Sequence, residues 1–436
     1  MEFSKKNYLI LGIILGAMIL RLFAFSFNYF THGNVNENAK AAVAVASSWT
    51  LRVAEPSDEP YWYSTKEYGG RYLDLNAPLW PTIGGVLMKF SGIKPSEANA
   101  FLLFRIMSLV VGMGVVISGY LAGKRIISSD AGIFLSAVLG LSYVLVDYSG
   151  NGAFYMAQAL LYLLWVLAAI SRIHFRALLL AVLSGIGWLL NYQAVVMIAA
   201  TIILILWERR LWKEKMQSAG LALVVFLLVI SPLLIRNARV FGDPLHTTKI
   251  NLTYVWNKAG LTPVIEGPVK TFHLGFADKL RVAESALLEW LPHNAYYVAR
   301  KLFVLLPVLF ILALYGAVDL AFSKERRNRV FPVILLLGLA LSQMLTWPIV
   351  QFRYFVPIIS LAALIGVEFL YNSIRQSGAR YLLMAGTLAG LVLVGFLLFN
   401  SNPLHVCYYD CAVTTGPLGR NEELEHLRAN NPSLLP

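Results

Sequence analysis

Cysteine and charge are the scarcest features of this 436-residue chain, with two cysteines and 14% of residues charged. A soluble domain carries about a quarter of its residues as charged side chains, so a soluble globular protein is excluded. Two cysteines exclude a disulfide-stapled scaffold and a cysteine-rich metal site. Both, Cys407 and Cys411, lie in the C-terminal tail, where their spacing permits either a disulfide or two free thiols. His32, His246 and His293 have no metal-ligand spacing. No serine–histidine nucleophile pair can be assembled. Gly123-Lys124 lacks the upstream glycine of a phosphate loop. An internal repeat is also missing, which argues against a transporter built from inverted halves.

What the chain has instead is apolar length, at 58% hydrophobic. Runs of about twenty apolar residues, the length that spans a bilayer as a helix, recur from end to end. They fall at 8–28, 100–122, 129–148, 154–171, 176–192, 194–207, 218–235, 301–322, 330–347, 354–372 and 381–399, the two near 176–207 being short. The pattern predicts an all-α polytopic membrane protein with about 11 transmembrane helices. They form one domain over 1–399, followed by a short tail at 400–436.

Lysine and arginine cluster in alternate connections: Lys5-Lys6, Lys124-Arg125, Arg172 with Arg176, Arg209 through Lys215, Lys324 through Arg329, and Arg375 with Arg380. By the positive-inside rule these connections are cytoplasmic. The N-terminus is then cytoplasmic, in a plasma or inner membrane. The loops 29–93 and 236–299 and the C-terminal tail are external. These anchors account for most of the net charge of +12, which needs no nucleic-acid partner. Lys5-Lys6 before an apolar run has the look of a signal peptide, but no small-residue cleavage site follows; an uncleaved first helix is expected.

The first external loop is too rich in acids, amides and aromatics for a linker. Glu37 to Trp49 reads as a surface-lying helix and Leu79 to Phe90 as a second, interfacial or re-entrant one. Glu37, beside Asn36, suits a general base toward an acceptor hydroxyl or amine, or else a first-turn residue helping to cap that helix with Asn34 or Asn36 as the cap. Asp74, with Asn76 and Pro78, is a second carboxylate for acid–base work or for sharing a divalent cation, or else a turn-stabilising residue. Arg353-Tyr354 and Arg236 stand at outer helix ends, where a guanidinium binds a lipid phosphate or anchors at the interface. Arg105 lies near the outer end of its helix, placed to pair with an acid or a phosphate or to brace the fold.

In chain order these pieces are Asn36-Glu37 before an Ala-rich helix, Asn76-Ala77-Pro78-Leu79-Trp80, Arg105, the segment Arg236-Asn237 to Phe241-Gly242-Asp243-Pro244, and Arg353-Tyr354-Phe355-Val356-Pro357. Together, over residues 8–372, they resemble the GT-C superfamily of integral-membrane glycosyltransferases. The likeness is to the branch of protein O-mannosyltransferases and the lipid A aminoarabinose transferase. It implies transfer of a sugar from a polyprenyl-phosphate donor to a lipid, glycan or protein acceptor at the external face of the membrane. Under it, Glu37 and Asp74 are the catalytic carboxylates. Asn36, Asn76, Pro78 and Arg105 line the substrate pocket, and Arg353, Tyr354 and Arg236 hold the donor phosphate. Where members often carry an Asp-Glu pair this chain has Asn36-Glu37, and where they carry Pro-Pro it has Ala77-Pro78. The missing acid weakens a metal-bridging role, so no metal ligand is assigned and Glu37 stands as the single base. A flippase or permease for lipid-linked sugars and a degenerate, non-catalytic scaffold are the competing readings.

Overall fold

The computed structural model describes residues 5–27, 33–54, 71–72, 77–208, 211–242, 244–245, 291, 295–296, 298–345, 352–374 and 377–401. The chain opens with α1 (Lys5–Phe27), α2 (Gly33–Ser48), β1 (Arg52–Ala54), β2 (Arg71–Tyr72) and α3 (Leu79–Phe90). There follow α4 (Glu97–Ile126), α5 (Ser129–Leu141), α6 (Tyr143–Gly150), α7 (Tyr155–Ala169), α8 (Arg176–Leu190), α9 (Val195–Trp207) and α10 (Trp212–Phe241). A helical stretch at 298–305 precedes α11 (Pro307–Phe322), α12 (Lys324–Leu345), α13 (Val356–Asn372) and α14 (Ser377–Ser401). Helices thus occupy every apolar run of the sequence.

Among the described residues, five helices are long and apolar enough to cross a bilayer alone, and the bent pair α5–α6 makes a sixth. Others, among them α7, α8, α11 and α13, are apolar but shorter. Large apolar side chains such as Val110, Leu228, Phe322 and Leu382 face outward. In water such a surface would aggregate; against lipid tails it is solvated. The chain is an integral membrane protein.

Lipid supplies no hydrophobic drive for helix association, so the helices hold together by close approach at small residues. α4 meets α5 at Gly123 and Gly132: a Cβ on Gly123 would lie 2.8 Å from Gly132 Cα, and one on Gly132 would lie 2.5 Å from the Tyr120 carbonyl. α11 meets α13 in the same way at Gly366, where a Cβ would lie 2.7 Å from the Leu309 carbonyl.

Three features depart from the sequence reading. The run 129–148 is not one straight span: α5 and α6 bend by 59° at Ser142. Arg21 of α1, fully buried, sustains the bend by donating to the carbonyls of Leu139 and Gly140, each at 3.1 Å, to that of Ala17 at 3.2 Å, and to Ser149 Oγ at 3.1 Å. Carbonyls stripped of intrahelical partners are thereby satisfied inside the protein. The run 301–322 is interrupted before Pro307, which takes the first position of α11, where a missing N–H costs nothing. The first loop also holds a short antiparallel pair, β1 on β2, with Arg52 opposite Tyr72 and Ala54 opposite Arg71.

Where α11, α12 and α13 come together at one end, an ion network ties them. Arg326 grips Glu368 with two parallel bonds, Nε to Oε1 at 2.9 Å and Nη2 to Oε2 at 2.7 Å, and reaches Asp319 Oδ2 at 2.7 Å. Ser373 Oγ donates to the same Asp319 oxygen at 2.5 Å, and Asn372 Nδ2 to Glu368 Oε1 at 2.8 Å. Both oxygens of the buried Glu368 carboxylate thus accept from a donor, as a carboxylate removed from water requires.

Candidate functional site

At the other end of the bundle, α2 and α3 fold over the helices. The buried face of α2 is small, with Val35, Ala39, Ala42 and Ala46, because α3 crosses it closely. A Cβ on Gly85 of α3 would lie 2.5 Å from Val45 Cβ and 2.6 Å from the Ala42 carbonyl. α2 begins at Gly33, earlier than the sequence suggests, and has no acidic residue in its first turn; Glu37 follows that turn. The side chains of Asn36 and Glu37, and all of Asp74 and Asn76, lie outside the described residues.

α3 is fixed by Trp80. Its ring stacks on Phe104 of α4, centroids 5.9 Å apart, and its Nε1 donates to the Gly152 carbonyl at 3.0 Å. Gly152 has φ +82°, and a Cβ there would press on Phe104 Cβ at 3.2 Å and Arg105 N at 3.3 Å, so the position requires glycine. Anchored in this way, the stretch from Ala77 to Trp80 closes the first loop onto the bundle. Ala77 packs with Trp188, Tyr192 and Leu233, the last one turn before Arg236 on α10. Trp80→Phe keeps the stack and loses the bond to Gly152. It is expected to lower stability by about 1–2 kcal/mol, read as a lower thermal midpoint in detergent. An unchanged midpoint would show that the bond contributes nothing to holding α3.

Arg105 is 6% exposed. Its Nε donates to the Gly150 carbonyl at 2.8 Å, its Nη2 to the Phe25 carbonyl, and its guanidinium lies 4.0 Å over the Phe25 ring. It joins α4 to the C-terminal ends of α1 and α6.

Arg353 and Tyr354 occupy a single 3-10 turn, Phe352–Tyr354, ahead of α13. Arg353 Nη2 lies 3.4 Å from Tyr354 Oη, and its guanidinium 5.2 Å from that ring. Tyr354 meets Tyr155 edge-on at 6.4 Å, and Tyr155 meets Tyr148 in the same manner at 5.9 Å. Behind Tyr354 is a cavity of about 20 Å³, lined also by Gln158, Tyr162, Gln193 and Gln343. That is room for one water. Asn191 Nδ2 donates to Gln158 Oε1 at 2.7 Å and to Gln193 Oε1 at 3.2 Å, and Gln158 Nε2 donates to Tyr162 Oη at 3.1 Å. Sequence reasoning passed over this cluster. The signal was there, since an amide inside an apolar span is costly unless bonded.

Arg236 Nη1 donates to Asn237 Oδ1 at 3.0 Å, and the buried Asn237 donates from Nδ2 to the Pro244 carbonyl at 3.5 Å. Gly242, at φ +70°, caps α10 and turns the chain back so that Pro244 reaches Asn237. The structure therefore brings Pro78, Arg105, Arg353, Tyr354 and Arg236 to the same end of the bundle as the start of α2. Among the described residues no three His, Cys, Asp or Glu side chains gather as a cation site.

A family model for dolichyl-phosphate-mannose-protein mannosyltransferases matches residues 96–235, less than half of the chain. No curated protein sequence matches it. Among solved structures, the oligosaccharyltransferase AglB from Archaeoglobus fulgidus, in complex with an inhibitory peptide and a dolichol-phosphate, is similar over 98% of this chain and 59% of its own, at 13% identity and a TM-score of 0.58. ArnT from Cupriavidus metallidurans, bound to undecaprenyl phosphate, is similar over 93% of this chain and 66% of its own, at 13% identity and a TM-score of 0.55. The chain spans 52% of another matching structure, an oligosaccharyltransferase from Archaeoglobus fulgidus in complex with Zn and sulfate. At these identities the likeness is one of fold: the chain shares the fold of these membrane proteins.

Proposed function

We propose that this chain is a membrane glycosyltransferase that moves a sugar from a polyprenyl-phosphate donor to a lipid, glycan or protein acceptor. The reaction takes place at the end of the bundle that carries α2 and α3. The observation that supports this most is the meeting at that end of the Ala77–Trp80 closure, the arginine-bearing turn at Arg353-Tyr354 and the start of α2. The alternation of basic connections assigns that end to the external side. The AglB and ArnT structures hold dolichol-phosphate and undecaprenyl phosphate, both of the carrier class that the proposed reaction releases.

In the reaction an acceptor hydroxyl or amine attacks the anomeric carbon of the sugar. The bond from that carbon to the phosphate oxygen breaks, and polyprenyl phosphate departs with the bonding pair. Glu37 takes the proton that the acceptor loses, and Asp74 orients the acceptor or the sugar. Arg353 and Arg236 offset the charge on the departing phosphate, and Tyr354, braced by Tyr155, holds Arg353 in place. Asn36, Asn76 and Pro78 line the pocket, and Arg105 fixes its wall.

The test is consumption of radiolabelled polyprenyl-phosphate sugars by membranes from cells expressing the chain. Turnover establishes the transferase. Donor that binds without being consumed moves the protein to transport. Within an active preparation, Arg353→Gln is expected to raise the donor KM about tenfold and leave the acceptor KM unchanged, because a hydrogen bond to a charged group is lost on one substrate only. Equal changes in both constants would remove Arg353 from the donor's phosphate.

A further inference from the structure

At the end of the bundle away from α2 and α3, the connections after α4, α7, α9 and α11 surround an open cavity of about 1080 Å³. Its wall carries Arg125, Arg172, Arg176, Lys324, Arg327 and Arg329. The one acid among its lining residues, Glu208, is already paired with Arg176. Two of the cations also close helix ends: Arg176 donates to the Ala169 carbonyl at 3.2 Å and Arg327 to the Ala321 carbonyl at 3.0 Å. Arg329 has Glu325 at 3.6 Å, on the open surface. Arg125, Arg172 and Lys324 have no such partner among the described residues.

Topological anchors need only stand in water along the rim of the membrane. Here cations from three separate connections converge on one concavity, where they repel one another and where an anion would relieve the repulsion. The concavity also has an aromatic flank. Trp207 stacks on Phe331 with centroids 4.9 Å apart, yet remains 60% exposed, and Phe175 and Trp212 are exposed nearby in sequence at the same helix ends. Exposed aromatics of this kind mark the boundary between lipid and water. An occupant entering there meets guanidinium groups for a phosphate and aromatic surface for the upper part of acyl chains.

We propose that this basin binds the phosphate headgroup of an anionic membrane lipid, in the leaflet opposite the proposed active site. It stands independently of the glycosyltransferase reading. The experiment titrates radiolabelled phosphatidylglycerol onto the purified chain in neutral detergent, with phosphatidylcholine and inorganic phosphate as competitors. Saturable binding that phosphatidylcholine does not displace is expected. The pair Arg172→Gln with Lys324→Gln should weaken it roughly 25-fold, at about fivefold per cation removed. Lys89→Gln with Lys94→Gln, the same charge removed elsewhere on the chain, should leave it unchanged, and Arg172→Lys with Lys324→Arg should retain it. If the neutral pair fails to fold, Lys324→Gln alone, at an exposed position, reads the same effect at about fivefold. Displacement by inorganic phosphate at comparable concentration would overturn the lipid assignment in favour of a soluble phosphate. Equal weakening by both glutamine pairs, or no saturable binding, would overturn the site and leave the cations as anchors.

Discussion

Arg326→Met is expected to be the most destabilising single substitution at the end of the bundle where α11, α12 and α13 meet. Glu368 has a side chain 2% exposed, and its two oxygens accept from Arg326 at 2.9 and 2.7 Å. Removing the guanidinium strands a carboxylate that water cannot reach and leaves only Asn372 to bond it. Loss of one partner of a buried pair costs about 3–5 kcal/mol, whereas replacing both partners by apolar groups is close to neutral. The same substitution also releases Asp319, though its side chain is 37% exposed and regains water, so it adds little. The measurement is thermal unfolding in detergent of Arg326→Met, Glu368→Met and the double variant. Both single variants should lose several degrees and the double variant should recover most of the loss. A double variant as unstable as the sum of the singles would mean that the pair is not what ties the three helices together.

The physical reason why so much of this fold could be read in advance lies in the solvent. A backbone in hydrocarbon must satisfy itself, so each long apolar run declares a helix without help from its neighbours. That argument carries no information about where a span bends. Leu141-Ser142-Tyr143 holds neither proline nor glycine, and the 59° break there depends on Arg21, more than a hundred residues earlier. Arg21 in turn has no sequence signature beyond continuing the first helix, because three of its four acceptors are backbone carbonyls, which every residue has. Arg105 shows the same limit. Its position near one end of its helix was legible, but its partners, the carbonyls of Gly150 and Phe25, are visible only once α1 and α6 are in place.

The site was legible where a motif carries its own geometry. Gly242 followed by Pro244 implies a helix stop, and the structure has α10 capped there in the left-handed region. Trp80 ends a recognisable motif at the close of the first loop, yet its work, a ring stacked on Phe104 and a bond to Gly152, needs the fold to appear. The amides Gln158, Asn191 with Gln193, and Gln343 come from three separate stretches of sequence, and each stretch alone shows only an odd polar residue among apolar ones. Convergence beside Tyr354 turns them into a feature, and convergence is what a linear pattern does not encode.

Glu37→Gln is expected to lower kcat by about 10²- to 10⁴-fold while leaving donor binding intact, the loss that follows when a positioned base is replaced by a neutral isostere. The competing role for this carboxylate was to cap α2. Capping needs a residue in the first turn, where unbonded N–H groups point forward. α2 begins at Gly33 and its first turn holds no acid, so Glu37 comes too late for that task. Were capping its role, the substitution would cost at most about 1 kcal/mol of helix stability and leave turnover unchanged. The two roles also separate by pH. A base must be deprotonated to act, so a rate carried by a carboxylate base should climb with pH and then level off, and the Gln variant should lose that climb along with its activity. Retained turnover in the Gln variant would keep the reaction class and move the base, with Asp74 next in line. Turnover lost with the pH climb preserved in the residual activity would make Glu37 a positioning group for the acceptor, with the proton going elsewhere.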